Sequence, residues 1–320
     1  MKVRFWGTRG SLPVALTAAQ LRAKLVASLL AARGRADLDS RERIEAFMDQ
    51  ELPFELRGTY DGHSSCVQVE ADSAPPLFLD FGSGARPLAG HYLRQFGGAP
   101  QTYHVFLSHL HWDHIMGFPF FTPVYIPGNR IVIHTCHANV ADAFLRQQSA
   151  PCFPVDFAAL GAEIRFEVLQ PDQTYEIAGY RVRAIRQQHT GDSYGWRLER
   201  GGKALVYATD SEHDVGDVAQ MRRVVDFFAL ADLVIFDAMY SLADAVSVKA
   251  DWGHSSNIVG VELCQQARAR RLCLFHHEPV HDDATLERNR LDTQRFEKLT
   301  RQNHPALDIL SAYDGLEIEC

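Results

Sequence analysis

The chain has 320 residues, 46% hydrophobic and 22% charged, proportions that suit a globular protein with one sizeable core. Its 32 Lys and Arg against 40 Asp and Glu leave a net charge of −8, and no basic block interrupts it, which argues against an extended nucleic-acid-binding surface. The six cysteines (Cys66, Cys136, Cys152, Cys264, Cys273, Cys320) form no CxxC pair; with no signal peptide they read as reduced thiols of a cytoplasmic protein, and no apolar stretch is long enough to span a membrane.

KVRFWG, residues 2–7, predicts a strand turned by TRGS. Residues 16–33 predict a helix with Leu21, Leu25, Leu29 and Leu30 on one face and a Thr17–Gln20 capping box; Arg22, Lys24 and Arg33 exclude a membrane helix. A second helix follows over 40–50, with Asp39 and Glu42 as its cap pair. Strands are predicted at 66–71, 76–82, 102–109 and 130–136, then at 163–170, 180–189, 194–210 and 231–238, with Arg200-Gly201-Gly202-Lys203 folding 194–210 into a hairpin. Helices are predicted near 84–95, 138–148, 217–229, 256–268 and 282–302. No linker or repeat divides the chain, so residues 1–320 read as a single α/β domain with a helical insertion at about 15–57. Two strand-rich halves with helices at their margins imply two sheets face to face and helices outside.

SHLHWDHIMG, residues 108–117, directly follows the apolar strand HVFLS. A ligand at a strand's end stands where the loop leaves the sheet, on a rigid base. His109 and His111, two apart on an extended loop, can aim at one ion; Asp113 and His114 can serve a second beside it. Imidazole with carboxylate suits zinc, and also manganese or iron. His189 ends RVRAIRQQ and Asp210 ends ALVYAT in the same way, although Asp210 also reads as a helix N-cap. Of the adjacent His276 and His277, His276 directly follows the apolar run 272–275 and is the preferred ligand, while His277 could instead face the substrate.

These pieces resemble the metallo-β-lactamase-fold hydrolases. HLHWDH at 109–114 matches that family's metal motif. QQHTGDSYGWRLE, VYATDSEH, WGHSS and LCLFHHEP resemble its later elements, and VRFWGTRGSLP and LDFGSG resemble the ribonuclease Z-like branch, all in order from residue 3 to 283 and leaving only 15–57 uncovered. The resemblance implies an αββα four-layer sandwich of two mixed β-sheets flanked by helices. It implies two divalent transition-metal ions, zinc first and Mn or Fe next. His109, His111 and His189 would hold one ion, Asp113, His114 and His276 the other, and Asp210 would bridge them; Asp237, ending LVIFD, is the alternative bridge. Asp113 then also counts as a catalytic residue. Two such ions share a hydroxide that attacks the substrate near neutral pH.

In the resembling branch the His of the HSS element, here His254, contacts the scissile phosphate or leaving group; an imidazolium there offsets oxyanion charge or donates a proton. The plainer reading makes that loop a helix start capped by Ser255 or Ser256. Asp80 of LDFGSG is expected to orient a ligand imidazole. His63 stands where the branch often has Asn, and His213 and His281 have no assigned role. The resemblance thus implies a phosphodiesterase. The acidic charge and the lack of a basic, Gly/Pro-rich arm favour small, cyclic-nucleotide-like phosphodiesters over transfer RNA. A lactone, thioester or carboxylic ester hydrolase is the alternative, and a non-catalytic metal-bound sensor a third reading, against which the intact ligand set argues. The 15–57 segment lids the cleft, contacts a second copy in a homodimer, or is a solvated decoration.

Overall fold

Short apolar runs that end in a polar ligand-type residue dictate this architecture, because each becomes a buried strand whose last residue emerges at one edge. The computed structural model describes residues 1–214, 216–240 and 253–320. In chain order the elements are β1 (Lys2–Gly7), α1 (Ala18–Ala31), α2 (Arg41–Gln50), α3 (Phe54–Arg57), β2 (Cys66–Glu70), β3 (Leu77–Leu79), α4 (Ala85–Phe96), β4 (Thr102–Phe106), α5 (Trp112–Ile115), β5 (Arg130–Thr135), α6 (Val140–Gln147) and β6 (Glu163–Val168). They continue as β7 (Thr174–Ile177), β8 (Tyr180–Gln187), β9 (Ser193–Arg200), β10 (Lys203–Ala208), α7 (Val218–Phe228), β11 (Leu233–Asp237), α8 (Asn257–Gln266), β12 (Arg271–Phe275), α9 (Asp283–Thr300), β13 (Asp308–Ser311) and β14 (Glu317–Glu319).

The strands form two seven-stranded mixed sheets, ordered β14-β1-β2-β3-β4-β5-β6 and β13-β12-β11-β10-β9-β8-β7. In each, three antiparallel pairings give way to three parallel ones. The inner faces meet in a core that includes Phe5, Val67, Phe106, Trp196, Leu205, Tyr207, Ile235 and Phe275. The outer face of the first sheet packs Phe78 and Val105 against Leu88 and Tyr92 of α4. The outer face of the second packs Val206 and Val234 against Phe227 of α7 and Val261 of α8. This is the αββα sandwich expected from the sequence, with β6, from the second half, completing the first sheet.

The Arg200–Lys203 hairpin forms as predicted, with Gly201 and Gly202 both at positive φ (58° and 74°) as a two-residue turn of matching twist requires. The Thr17–Gln20 capping box is present. Two expectations shift. The cap of α2 is Ser40, whose hydroxyl accepts from Arg43 N; Asp39, one residue too early, pairs with the Arg43 guanidinium at 3.2 Å instead. And although α1 is a helix, none of its residues is buried: Leu21, Leu25, Leu29 and Leu30 are all half or more exposed. The helix is tied down by Lys24, which binds Gly58 O at 2.6 Å and the Asp283 carboxylate. No described helix is long and apolar enough to cross a membrane.

Candidate metal centre

The site lies along one edge of the sandwich, where strands of both sheets deliver polar residues at their C-terminal ends. Asp80 follows β3, His109 to His114 follow β4, His189 follows β8, Asp210 follows β10, and His276 follows β12. Asp80, Asp210 and His276 all take a left-handed backbone (φ 60°, 48° and 59°). Few non-glycine residues do so, and the conformation turns each side chain sharply off its strand.

Three groups of donor atoms result, two of them separate and a third, Asp210, His254 and His276, drawing on both. His109, His111, His189 and Asp210 bring one ligand atom each within 4.8 Å of one another; Asp113, His114 and His276 form the second set. Asp210, almost fully buried, divides its carboxylate between them. Oδ2 lies 3.6 Å from His109 Nε2 and 3.7 Å from His189 Nε2, while Oδ1 lies 3.2 Å from His114 Nε2 and 3.3 Å from His276 Nε2. It caps no helix; Asp217 caps α7.

Hydrogen bonds at the far side of the rings decide which nitrogen faces inward. His114 Nδ1 donates to Asp80 Oδ2 at 2.7 Å, and His189 Nδ1 donates to Gly253 O at 2.7 Å. Each leaves Nε2 free for an ion, the usual arrangement of a metal-bound histidine. Asp80 also accepts from Ser108 N, Ser108 Oγ and Tyr207 OH. The Ser11 backbone N–H holds Asp113 Oδ2 at 2.8 Å. Gly10 lies against the His276 ring, where a Cβ would come within 2.7 Å of the imidazole, so only glycine lets β1's loop pass there.

The donor set fits divalent cations. His109 Nε2 is buried without a hydrogen-bond partner, and His114 Nε2 and His276 Nε2 face each other at 3.3 Å with two carboxylates beside them. Burial alone would raise the Asp113 and Asp210 carboxyls, but the surrounding imidazoles outweigh it and hold both below the usual range. Burial lowers His109, His111 and His189, with neighbouring imidazoles adding to it in each case, so these rings stay neutral and able to ligate.

His254 stands beside both sets. Its ring lies 5.1 Å from that of His189 and 5.2 Å from that of His276, and its Nδ1 bonds Asp237 Oδ2 at 2.8 Å. Burial would lower it, but the Asp237 charge and hydrogen bond outweigh burial and raise its pKa to about 9. Ser256 caps α8, as the plainer reading of the loop expected. The Asp237–His254 pairing escaped the sequence reading; the one signal was that Asp237 ends an apolar strand, as Asp210 nearly does.

The neighbouring histidines are sorted as well. His277 is buried with its Nε2 on Ala312 O at 2.8 Å, so it neither joins the donors nor faces a substrate. His63 Nδ1 meets Ser83 Oγ at 3.1 Å, and His213 stacks on Phe236, its pKa lowered by burial to about 4.

Comparison with known proteins agrees with this geometry. The sequence pattern of the Beta-lactamase superfamily domain matches residues 80–277, from the Asp80 turn to the His276 turn. A ribonuclease Z of Natronomonas pharaonis is 24% identical over 319 residues, covering 79% of this chain and 98% of that one. The metallo-β-lactamase-fold protein YhfI from Bacillus subtilis superposes with a TM-score of 0.64 at 17% identity, over 100% of this chain and 98% of its own. A diphosphatase of the PhnP family superposes with a TM-score of 0.60 at 17% identity, over 100% and 97%. The chain belongs to the beta-lactamase superfamily and has the metallo-β-lactamase fold.

Proposed function

We propose that this metal-dependent hydrolase cleaves small, cyclic-nucleotide-like phosphodiesters with two divalent ions, zinc being the first candidate. His109, His111 and His189 would hold one ion, Asp113, His114 and His276 the other, with Asp210 shared. When bound, such a pair supplies Lewis acidity toward phosphate oxygens and lowers the pKa of water to near neutrality. The observation that carries the phosphodiester reading is the Asp237–His254 hydrogen bond, which orients an imidazole beside both donor sets.

The residues divide the work. Asp80 and Gly253 O fix the imidazole tautomers, and Ser11 N fixes Asp113. Asp237 keeps His254 protonated and oriented, so that His254 can offset charge on a phosphate or give a proton to the departing oxygen. A carbonyl substrate calls for less charge at this position, which ranks the lactone and thioester reading second. The name of the Natronomonas relative, ribonuclease Z, favours RNA as a further substrate to test.

Protein purified without chelator should carry about two transition-metal ions per chain. It should turn over cyclic nucleotides in a panel that also holds RNA, lactones and thioesters. His254→Ala should keep both ions and lose ~10²–10⁴-fold in kcat, most for a ribose hydroxyl leaving group and least for nitrophenolate. Undiminished turnover of every phosphodiester by the variant, beside strong lactone or thioester activity, would move the assignment to the ester hydrolases.

A further inference from the structure

One side chain at the centre has no part in binding ions or in moving protons. α5 starts at Trp112, between His111 and Asp113, and its next three residues, Asp113, His114 and Ile115, are buried. Trp112 is 62% exposed. Among the described residues it forms no ring contact and no side-chain hydrogen bond. Its backbone is nevertheless pinned, because Trp112 O accepts from Met116 N at 2.7 Å and His111 O from His114 N at 3.0 Å. Adjacent Cα atoms lie about 3.8 Å apart, so the indole springs from a fixed point one residue from a donor of each set. His111, on one side of it, is itself exposed, which marks this as the open side of the centre.

Single exposed apolar residues are common. Here, however, three of the loops that serve the centre each present one. Leu12 follows Ser11, the brace of Asp113; Val280 lies four residues beyond His276; both are exposed. Two of the cations near the centre offer little free grip. Arg186 and Arg223, close to His189, are each held by a carboxylate, Asp192 and Asp172, at 2.6 Å. A ligand approaching this side therefore meets an exposed indole one residue from a donor of each set, while the two arginines close to His189 are already paired.

We infer that Trp112 is the base platform of this site: its indole stacks on the nucleobase of a single nucleotide ester whose phosphate lies at the two donor sets. The inference rests on the phosphodiesterase reading and narrows it to nucleotide esters. Stacking on an indole needs only a planar heteroaromatic face, so the four bases should be accepted with small differences.

The test pairs a binding and a turnover measurement on the metal-loaded protein. Calorimetry compares adenosine 5′-monophosphate, ribose 5-phosphate and a short oligoadenylate in wild type, Trp112→Ala and Trp112→Phe. The expected result is that the adenine strengthens binding about 5–150-fold over ribose 5-phosphate, that Trp112→Ala abolishes this difference, and that Trp112→Phe keeps most of it. Turnover compares adenosine 3′,5′-cyclic phosphate with 1-O-methylribose 3′,5′-cyclic phosphate, which has the same leaving group and no base. Trp112→Ala should lower kcat/KM for the first by a similar factor and leave the second unchanged. Equal losses on both esters, or an unchanged adenine preference in Trp112→Ala, would overturn the platform. An oligoadenylate bound far more tightly than the mononucleotide would overturn the single-nucleotide assignment in favour of an RNA strand. A Trp112-dependent adenine preference without turnover of either cyclic ester would uphold the platform and refute the phosphodiesterase reading alone.

Discussion

Replacing Asp80 by Asn exchanges one oxygen for an amide nitrogen at the centre's most heavily bonded buried carboxylate. Asp80 is fully buried, and its φ of 60° suits Asn as well as Asp, so the backbone should not object. Oδ1 keeps the Ser108 N–H at 2.7 Å. Oδ2 accepts from Ser108 Oγ at 2.8 Å, Tyr207 OH at 2.7 Å and His114 Nδ1 at 2.7 Å, and an amide nitrogen there can only donate. The hydroxyls can rotate. The imidazole can accept only by moving its proton to Nε2, the atom that lies 3.2 Å from Asp113 and from Asp210. A bond to a charged group is about twice as strong as a neutral one, so three such losses should cost the metal-free protein ~2–4 kcal/mol in a denaturant melt. The ion at Asp113, His114 and His276 should bind ~10–100-fold more weakly, the usual effect of losing a residue that orients a metal-bound histidine. The ion at His109, His111 and His189 should be nearly unaffected. Zinc titration against a chromophoric chelator separates the two affinities. Wild-type affinity for both ions, or an equal loss at both, would refute the tautomer argument.

Asp210→Ala should lower metal occupancy and turnover together, since its two oxygens face different donor sets; near-normal turnover with both ions retained would pass the shared role to Asp237. On α1, Leu25→Glu and Leu29→Glu should each change the denaturation free energy by no more than ~0.5 kcal/mol, because neither side chain is buried; a loss above ~2 kcal/mol would show that the face is covered in solution. Deleting residues 15–57 should change KM for small substrates if the segment lids the cleft, or halve the sedimentation mass if it joins two copies. Burial raises Asp314 to about 7, against its bonds to His63 N and Thr8 Oγ1. The folded state then holds a proton that the unfolded chain has released between pH ~4 and ~7, so stability should fall across that window as pH rises and level off above it. Because Asp314 is only partly buried, the effect should be ~1–2 kcal/mol, and Asp314→Asn should flatten the profile.

The layered fold was legible because the strands that build it are apolar runs followed by turn residues, from FWG at Gly7 to the run ending at Phe275. What escaped were short edge pieces. TYEI in β7, DILS in β13 and EIE in β14 hold three or four residues each, too few to show a period, and they become strands only because a neighbour pairs with them. Periodicity revealed α1 as a helix but not its exposure, since a repeat of leucines says nothing about what covers them. At the centre, the donors were legible because each stands at the end of an apolar strand. His276 stands out from His277 in the sequence because it directly follows the apolar run 272–275 and matches the family's ligand, and the structure sets the two rings apart, His276 among the donors and His277 on Ala312 O. The contacts that hold the donors were hidden by distance along the chain: Ser11 reaches Asp113 across 102 residues, and Asp237 reaches His254 across 17.

Each donor set draws on both layers of the sandwich. His109 and His111 come from the first sheet, and His189 and Asp210 from the second; Asp113 and His114 from the first face His276 from the second. An ion in either set would therefore act as a rivet between two plates that otherwise meet mainly through apolar contacts, with a few hydrogen bonds such as Tyr207 OH to Asp80 and Trp196 Nε1 to Leu107 O. Apolar contacts resist separation but tolerate sliding, whereas a coordination shell resists both. Loading the centre should thus slow hydrogen exchange not only in the loops but in the backbone of β4, β10 and β12, and pulling the two sheets past one another should require far more force in the loaded protein than in the chelated one.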